Sequence, residues 1–418
     1  MTPRGRAASA LVLVLLLAAL CGAQVHAPDA SPGKVILGRP SVEAAFQLLL
    51  AADFALPLPS NAGAAAPANS SSLWWCSECR AAEDASLAPE APRLLLGAAR
   101  ATTLAQIGVG KNRPVVMSTR DFVLVCAVAQ TLVKDLSREE LAFARAWAGT
   151  PRGDLDAHAS AHLWLWRMLR LQAHFEALLG LNAAPPRGAL PAPGARFGHG
   201  QRGEVYLFAD IEAYRAFGRH HFGSSGARTS WWFHQGAGAC VAAQCVGSEG
   251  SAEESARFDH SMAHQCFFMY REFLYHLPAW VHEGLGAWFE RRHKVHGATF
   301  CLLGAVQGWN TDIGDDWWAQ LKLRVQTGKD EAVVPFSQRS KQHELPPELH
   351  PQAWALTAYL IGLGPQRYRV FLDTLKKQRA EESTPELLYR AVETAYGCDL
   401  VSLQDNWRAW VKGLKGKP

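Results

Sequence analysis

Two histidines one helical turn apart, His260 and His264, followed 19 positions later by Glu283, constrain this 418-residue chain more than any other feature in it. Positions four apart share one face of a helix, so both imidazoles can reach a single ion. Glu283 lies within Leu277 to Glu290, a second helix candidate that follows a turn at Leu277 and Pro278. The interval lets the first helix end and the second carry a carboxylate back. Two imidazoles and a carboxylate make a zinc set with an open fourth position for water. Gly284 and Gly286 add weight, because a glycine inside a helix costs roughly 1 kcal/mol against alanine, and close helix approach would compensate. The alternative is a tryptophan-rich core helix with an exposed Glu283, and spacing alone leaves both open.

The histidine pair by itself proves nothing. Sixteen histidines in this chain should give about 0.6 such pairs by chance, and His158 and His162 form another. Nothing comparable to the Glu283 segment follows His162, so that second pair serves as an internal control.

The His-x-x-x-His segment followed by Leu-Pro-x-Trp-x-x-Glu-Gly-Leu-x-x-Trp-Phe-Glu resembles the peptidase MA-like (gluzincin) metallopeptidases, in particular secreted bacterial domains allied to them. Looser similarity extends over roughly 118–412. It takes in Val205 to Gly218, then Gln352, Ala353, Trp354, Ala355, Leu356 and Tyr359, and the closing Trp407 to Val411. The resemblance implies that His260, His264 and Glu283 are ligands of a zinc ion, kept or since lost.

The departure is Ser261, which stands where the family has the glutamate that takes a proton from metal-bound water and passes it to the leaving amine. A serine hydroxyl near neutral pH does neither unaided, and losing a positioned general base typically costs a factor of roughly 100 to 10,000 in rate. Glu253, Glu254 and Asp259 could stand in, or could be solvated acids at a helix start. His282 reads as a surface histidine or one supporting a ligand, Cys266 as core or disulfide, and Tyr359 or His350 as donors to an oxyanion. The expectation is a metallopeptidase-like protein with impaired catalysis whose groove binds a peptide or protein. Its rivals are a zinc hydrolase with an unconventional base and a metal-free structural or binding protein.

The rest of the chain sets the context. Arg4 and Arg6, the apolar run Ala10 to Leu20, and Cys21-Gly22-Ala23 have the order of a secretion signal, with cleavage expected after Ala23. Leu20 before Cys21 weighs against lipid attachment, and no later stretch is long and apolar enough to span a membrane. The remaining eight cysteines predict disulfides in an oxidising compartment, with a local bridge preferred for Cys76 and Cys79 over a redox or half-zinc site. Basic residues are interleaved with acids at a net charge of +4, which argues against nucleic acid.

The expected fold class is α+β: a zincin-like domain over 116–310 with a small mixed sheet, then a helical C-terminal part over 311–418. Before them come the signal at 1–23 and a variable region at 24–115, which contains an Ala/Pro/Ser-rich linker at 57–72. Strands are predicted at 122–126, 205–208 and 239–246, the last as the sheet edge that could hold an extended peptide. Helices are predicted at 157–179, after Asp210, at 317–325, 351–362, 368–376, 385–396 and 403–411.

Overall fold

A computed structural model describes residues 74–76, 114–119, 121–148, 153–181, 202–223, 228–234, 239–247, 252–270, 277–293, 316–339, 345–377 and 383–413. All lie in one compact unit, Ile36–Pro418. The signal, the 57–72 linker, Cys79 and Cys301 fall outside the described residues.

In chain order the elements are β1 (Trp74–Cys76), β2 (Val115–Thr119), β3 (Phe122–Cys126), α1 (Arg138–Ala148), α2 (Ala157–Leu178), β4 (Gly203–Phe208), α3 (Ile211–Phe222), β5 (Thr229–His234), β6 (Ala239–Cys245), α4 (Ala252–Tyr270) and α5 (Ala279–His293). The C-terminal run is helical: α6 (Trp317–Gln326), α7 (Val333–Gln338), α8 (His350–Gly362), α9 (Pro365–Lys376), α10 (Thr384–Tyr396) and α11 (Leu400–Gly413). The fold is α+β, a mixed sheet with helices on both faces and a helical C-terminal part.

The sheet order is β1-β2-β3-β4-β6-β5. β3, β4 and β6 run parallel, while β1, β2 and β5 pair antiparallel to their neighbours. Strands at the centre of a sheet covered on both faces need apolar side chains at every position. β3 (FVLVC) and β4 (GEVYLF) are buried throughout. Their alternate residues feed two cores. Phe122, Leu124, Val205, Leu207 and Cys240 join a cluster with α2, α4 and α5, whereas Val125, Tyr206, Phe208, Val241 and Ala243 pack on Tyr214 and Phe217 of α3.

The predicted helices form with small shifts at their ends. Asp156 caps α2 and Asp210 caps α3, each side chain accepting from the backbone N–H three residues on. Gly180, predicted to stop α2, has φ +62°, a conformation that glycine adopts without strain.

Two expectations are corrected. The 239–246 segment is an interior strand between β4 and β5, so the edge on that side of the sheet is β5, which a run of bulky aromatics concealed. The disulfides are not formed among the six described cysteines: Cys76, Cys126, Cys240, Cys245, Cys266 and Cys398 are buried and none is bridged to another. Cys266 is core, and burial pushes its thiol well above the usual range. Among the described residues no helix is long and apolar enough to cross a membrane.

Candidate metal centre

Helix α4 is fastened to the sheet before it presents any donor. The Gln265 amide donates to the carbonyls of Glu204 on β4 and Cys240 on β6, both at 3.0 Å. Gln244 of β6 donates to the Glu254 carbonyl at 2.9 Å, near the helix start. Gly203 makes room for the Gln265 amide, since a Cβ there would stand 2.7 Å from Met269 Sδ and 2.8 Å from Gln265 Nε2. His264 thus adjoins a residue pinned to two strands.

Helix α5 carries a stripe at Glu283, Gly286 and Glu290, spaced i, i+3, i+7 so that all three face α4. A Cβ on Gly286 would lie 2.8 Å from His260 Nε2 and 3.0 Å from both Cδ2 and Cε1. Near-equal distances to three ring atoms put it over the ring face and leave the in-plane lone pair clear. Gly284 serves a different neighbour: a Cβ there would overlap the Ala353 carbonyl and the Thr357 hydroxyl of α8. The two glycines therefore allow close approach on two sides.

His260, His264 and Glu283 converge, their ligand atoms all within 4.8 Å of one another. His260 Nε2 is 3.6 Å from Glu283 Oε2, and His264 Nε2 is 3.7 Å from Oε1. Those separations exceed hydrogen-bond length. They suit donors around one ion, because tetrahedral zinc bonds of about 2.0–2.2 Å set donors about 3.4 Å apart. All three residues are at most 1 % exposed. Burying a carboxylate between two rings at such spacing is costly unless a cation compensates, so the residues present fit zinc.

The surroundings favour ligand-competent protonation states. Burial pushes the His264 imidazole well below its ordinary range, which keeps it neutral. Burial alone would raise Glu283, but the facing imidazoles of His264, His260, His282 and His350 outweigh it and hold the carboxyl well below the usual carboxylate range. Glu290 Oε2 lies 3.1 Å from His260 Nδ1, a carboxylate partner that fixes the ring and turns Nε2 toward Glu283. Sequence reasoning assigned Glu290 no role, although its place seven residues after Glu283 puts it on the same face.

Other candidates divide. His350, at the start of α8, sits with Nδ1 3.8 Å from Glu283 Oε2, and burial pushes it down to about 4. Tyr359 is not brought to the centre. It lies nine residues on, on the opposite face of α8, with its ring 5.3 Å from Trp410. His282 is buried rather than at the surface, its Nδ1 3.6 Å from Glu283 Oε1 and its ring edge-on to His264. Of the acids before His260, Glu254 is held by Arg228 at 3.3 Å and Arg257 at 2.9 Å, so it is no free base. Glu253 is exposed and Asp259 is buried.

Ser261 is buried and its hydroxyl is hydrogen-bonded to Thr229 at the start of β5. With Val205, Ala242, Gln244 and Met262 it lines a small recess between α4 and the sheet. The Ser261 side chain is thus committed to the edge strand.

The internal control also acquires a third donor. His158 and His162 on α2 are joined by Cys76 of β1, with Cys76 Sγ 3.4 Å from His158 Nε2.

Comparison of the chain with protein-family models, curated proteins and solved structures gives no match in any of the three.

Proposed function

We propose that this protein is a zinc-holding, metallopeptidase-like protein of impaired hydrolytic power, whose sheet edge beside the metal centre receives an extended peptide or protein segment. One observation carries the reading: His260, His264 and Glu283 converge at ligand spacing while Ser261 turns its hydroxyl to Thr229. Zinc held there would polarise a carbonyl and acidify bound water. The chain's own residues then decide how far hydrolysis proceeds. His350 faces the Glu283 carboxylate from α8 and is neutral near pH 7, so its imidazole N–H can donate to an oxygen that gains charge. No carboxylate occupies position 261 to take a proton and return it.

The peptide-binding part of the proposal rests on β5. It is the terminal strand of the sheet order, antiparallel to β6, and its first residue touches Ser261. An extended segment adding to that edge would run past the centre. The signal-like order of residues 1–23 supports export as the setting.

Metal analysis of the purified full-length chain, with Ser261→Glu assayed on an unstructured protein substrate, tests this reading. His260→Ala and Glu283→Ala each remove bound zinc from this centre, and an unchanged zinc content in His260→Ala refutes the ligand set. Ser261→Glu raises chelator-sensitive cleavage by about 100-fold to 10,000-fold over wild type. A folded, zinc-loaded Ser261→Glu protein with no cleavage refutes the view that the missing base is what limits hydrolysis.

A further inference from the structure

We propose that Cys76, His158 and His162 form a second metal site, separate from the α4–α5 centre, in which one thiolate and two imidazoles bind a zinc-class divalent ion and fasten the edge strand β1 to helix α2.

The three donors come from far apart in the chain. Cys76 is the last residue of β1 and pairs with Met117 across the antiparallel ladder to β2. His158 and His162 occupy the first two turns of α2, which Asp156 caps. Cys76 and His158 are 82 positions apart, so neither local structure nor helical spacing places the sulfur beside the rings. Yet the ligand atoms all fall within 4.8 Å of one another. Cys76 and His162 are at most 1 % exposed, and His158 is half-buried.

Geometry favours an ion over hydrogen bonds alone. His158 Nε2 lies 3.4 Å from Cys76 Sγ and 3.1 Å from His162 Nε2. An imidazole nitrogen offers either one in-plane lone pair or one N–H, so it serves one partner well and shares poorly between two. A cation among the three atoms satisfies all of them at once. With Zn–N bonds of about 2.0–2.1 Å and a Zn–S bond of about 2.3 Å, tetrahedral angles set nitrogens about 3.4 Å apart and nitrogen and sulfur about 3.6 Å apart. The two pairs that include His158 fall within about 0.3 Å of those values, Cys76 Sγ and the His162 ligand atom lie within 4.8 Å of each other, and a small movement of the rings would bring the set to ligand spacing.

The donor set names the ion. A thiolate with two imidazoles suits zinc, whereas hard cations such as calcium and magnesium take oxygen ligands. Binding balances simply: the Cys76 S–H bond breaks, sulfur bonds the divalent ion, and one proton leaves to solvent for each ion bound. Both imidazoles bind as neutral bases. Three protein ligands leave a fourth position for water or another donor. A two-turn helical segment and a three-residue strand joined in this way resemble a structural clip. β1 is so short that its ladder to β2 alone holds it weakly.

Cobalt(II) replacement in the full-length protein, purified under reducing conditions, separates this site from the other. Only a site containing sulfur gives thiolate-to-cobalt charge-transfer absorption in the near ultraviolet. The expected result is that the band appears in wild type, persists in a His260→Ala/His264→Ala variant, and disappears in Cys76→Ser. Zinc analysis should then give two ions per chain in wild type and one in each variant. Absence of the band in wild type overturns the proposal, as does a band that survives Cys76→Ser. His162→Ala guards against misfolding in the cysteine variant, because it should keep the sulfur but shift the visible d–d bands of bound cobalt. An unchanged visible spectrum in His162→Ala overturns the ligand set. Failure of the His260 centre leaves the charge-transfer band untouched, so the two sites stand or fall separately.

Discussion

Substituting alanine at Gly286 should weaken zinc binding without weakening the fold. A new Cβ would stand 2.8 Å from His260 Nε2 and 3.0 Å from two ring carbons, against a normal contact of about 3.5–4.0 Å. The ring must therefore retreat by about 0.6 Å or more, whereas ligand distances in a working site hold within about 0.2 Å. Displacement of that size should lower zinc affinity about 10-fold to 100-fold, or about 1.4–2.7 kcal/mol. Helix propensity acts in the opposite direction, since Gly→Ala inside a helix gains about 1 kcal/mol, so the metal-free protein should unfold at nearly the wild-type denaturant midpoint. Competition against a chromophoric chelator reads the affinity, and urea unfolding in the presence of chelator reads the fold. Gly284→Ala is the contrast, because its Cβ meets a carbonyl of α8 that cannot step aside, and it should destabilise by about 1–3 kcal/mol. Wild-type zinc affinity in Gly286→Ala would refute the placement of His260 Nε2 as a ligand.

Glu290→Gln keeps the size of the His260 partner but removes its charge, and should cost about 10-fold to 100-fold in zinc affinity by the same chelator competition; no change would show that the 3.1 Å contact does not orient the ring. Acid should destabilise the metal-free protein: burial lowers His350 to about 4 against the opposing pull of Glu283, and burial together with His158 lowers His162 to about 3, both below the unfolded value of about 6.5. The unfolded chain then binds more protons across that window, so stability is full above about pH 6.5 and falls as pH drops toward 4 and 3, by about 1.4 kcal/mol per unit for each histidine. Urea midpoints measured at pH 7 and pH 5 that coincide would contradict neutral burial of these rings.

The centre was legible because its signals are local. A four-residue histidine interval and a carboxylate on the next helix are visible in a string of letters, and helical spacing located α2, α5, α6 and α8 to α11. What escaped depends on contacts between distant segments or on patterns with an ambiguous period. The fastening of α4 by Gln265 and Gln244 requires knowing which strands lie beneath it. The convergence of Cys76 on the histidine pair spans 82 positions, and no spacing rule reaches so far. β5 (TSWWFH) shows too little alternation to declare itself, and α7 hides behind Pro335 in VVPFSQ. Helix α1 was within reach: Ser137 accepts from the Glu140 backbone while Glu140 accepts from that of Ser137, a capping box written as S-x-x-E. Tyr359 failed as a candidate because chain order alone, without the helical angle separating it from His350, suggested it.

The bare backbone of α5 at Gly284 makes the C-terminal helices a back wall for the proposed metal cradle. Glu283 is aimed by a helix whose backbone at Gly284 rests against the Ala353 carbonyl and Thr357 hydroxyl of α8, with no side chain of its own there to absorb slack. A chain cut short near residue 345 would therefore lose more than a tail. It would unseat the acid that completes the centre, so a shortened form that keeps every ligand should still fail to hold the ion.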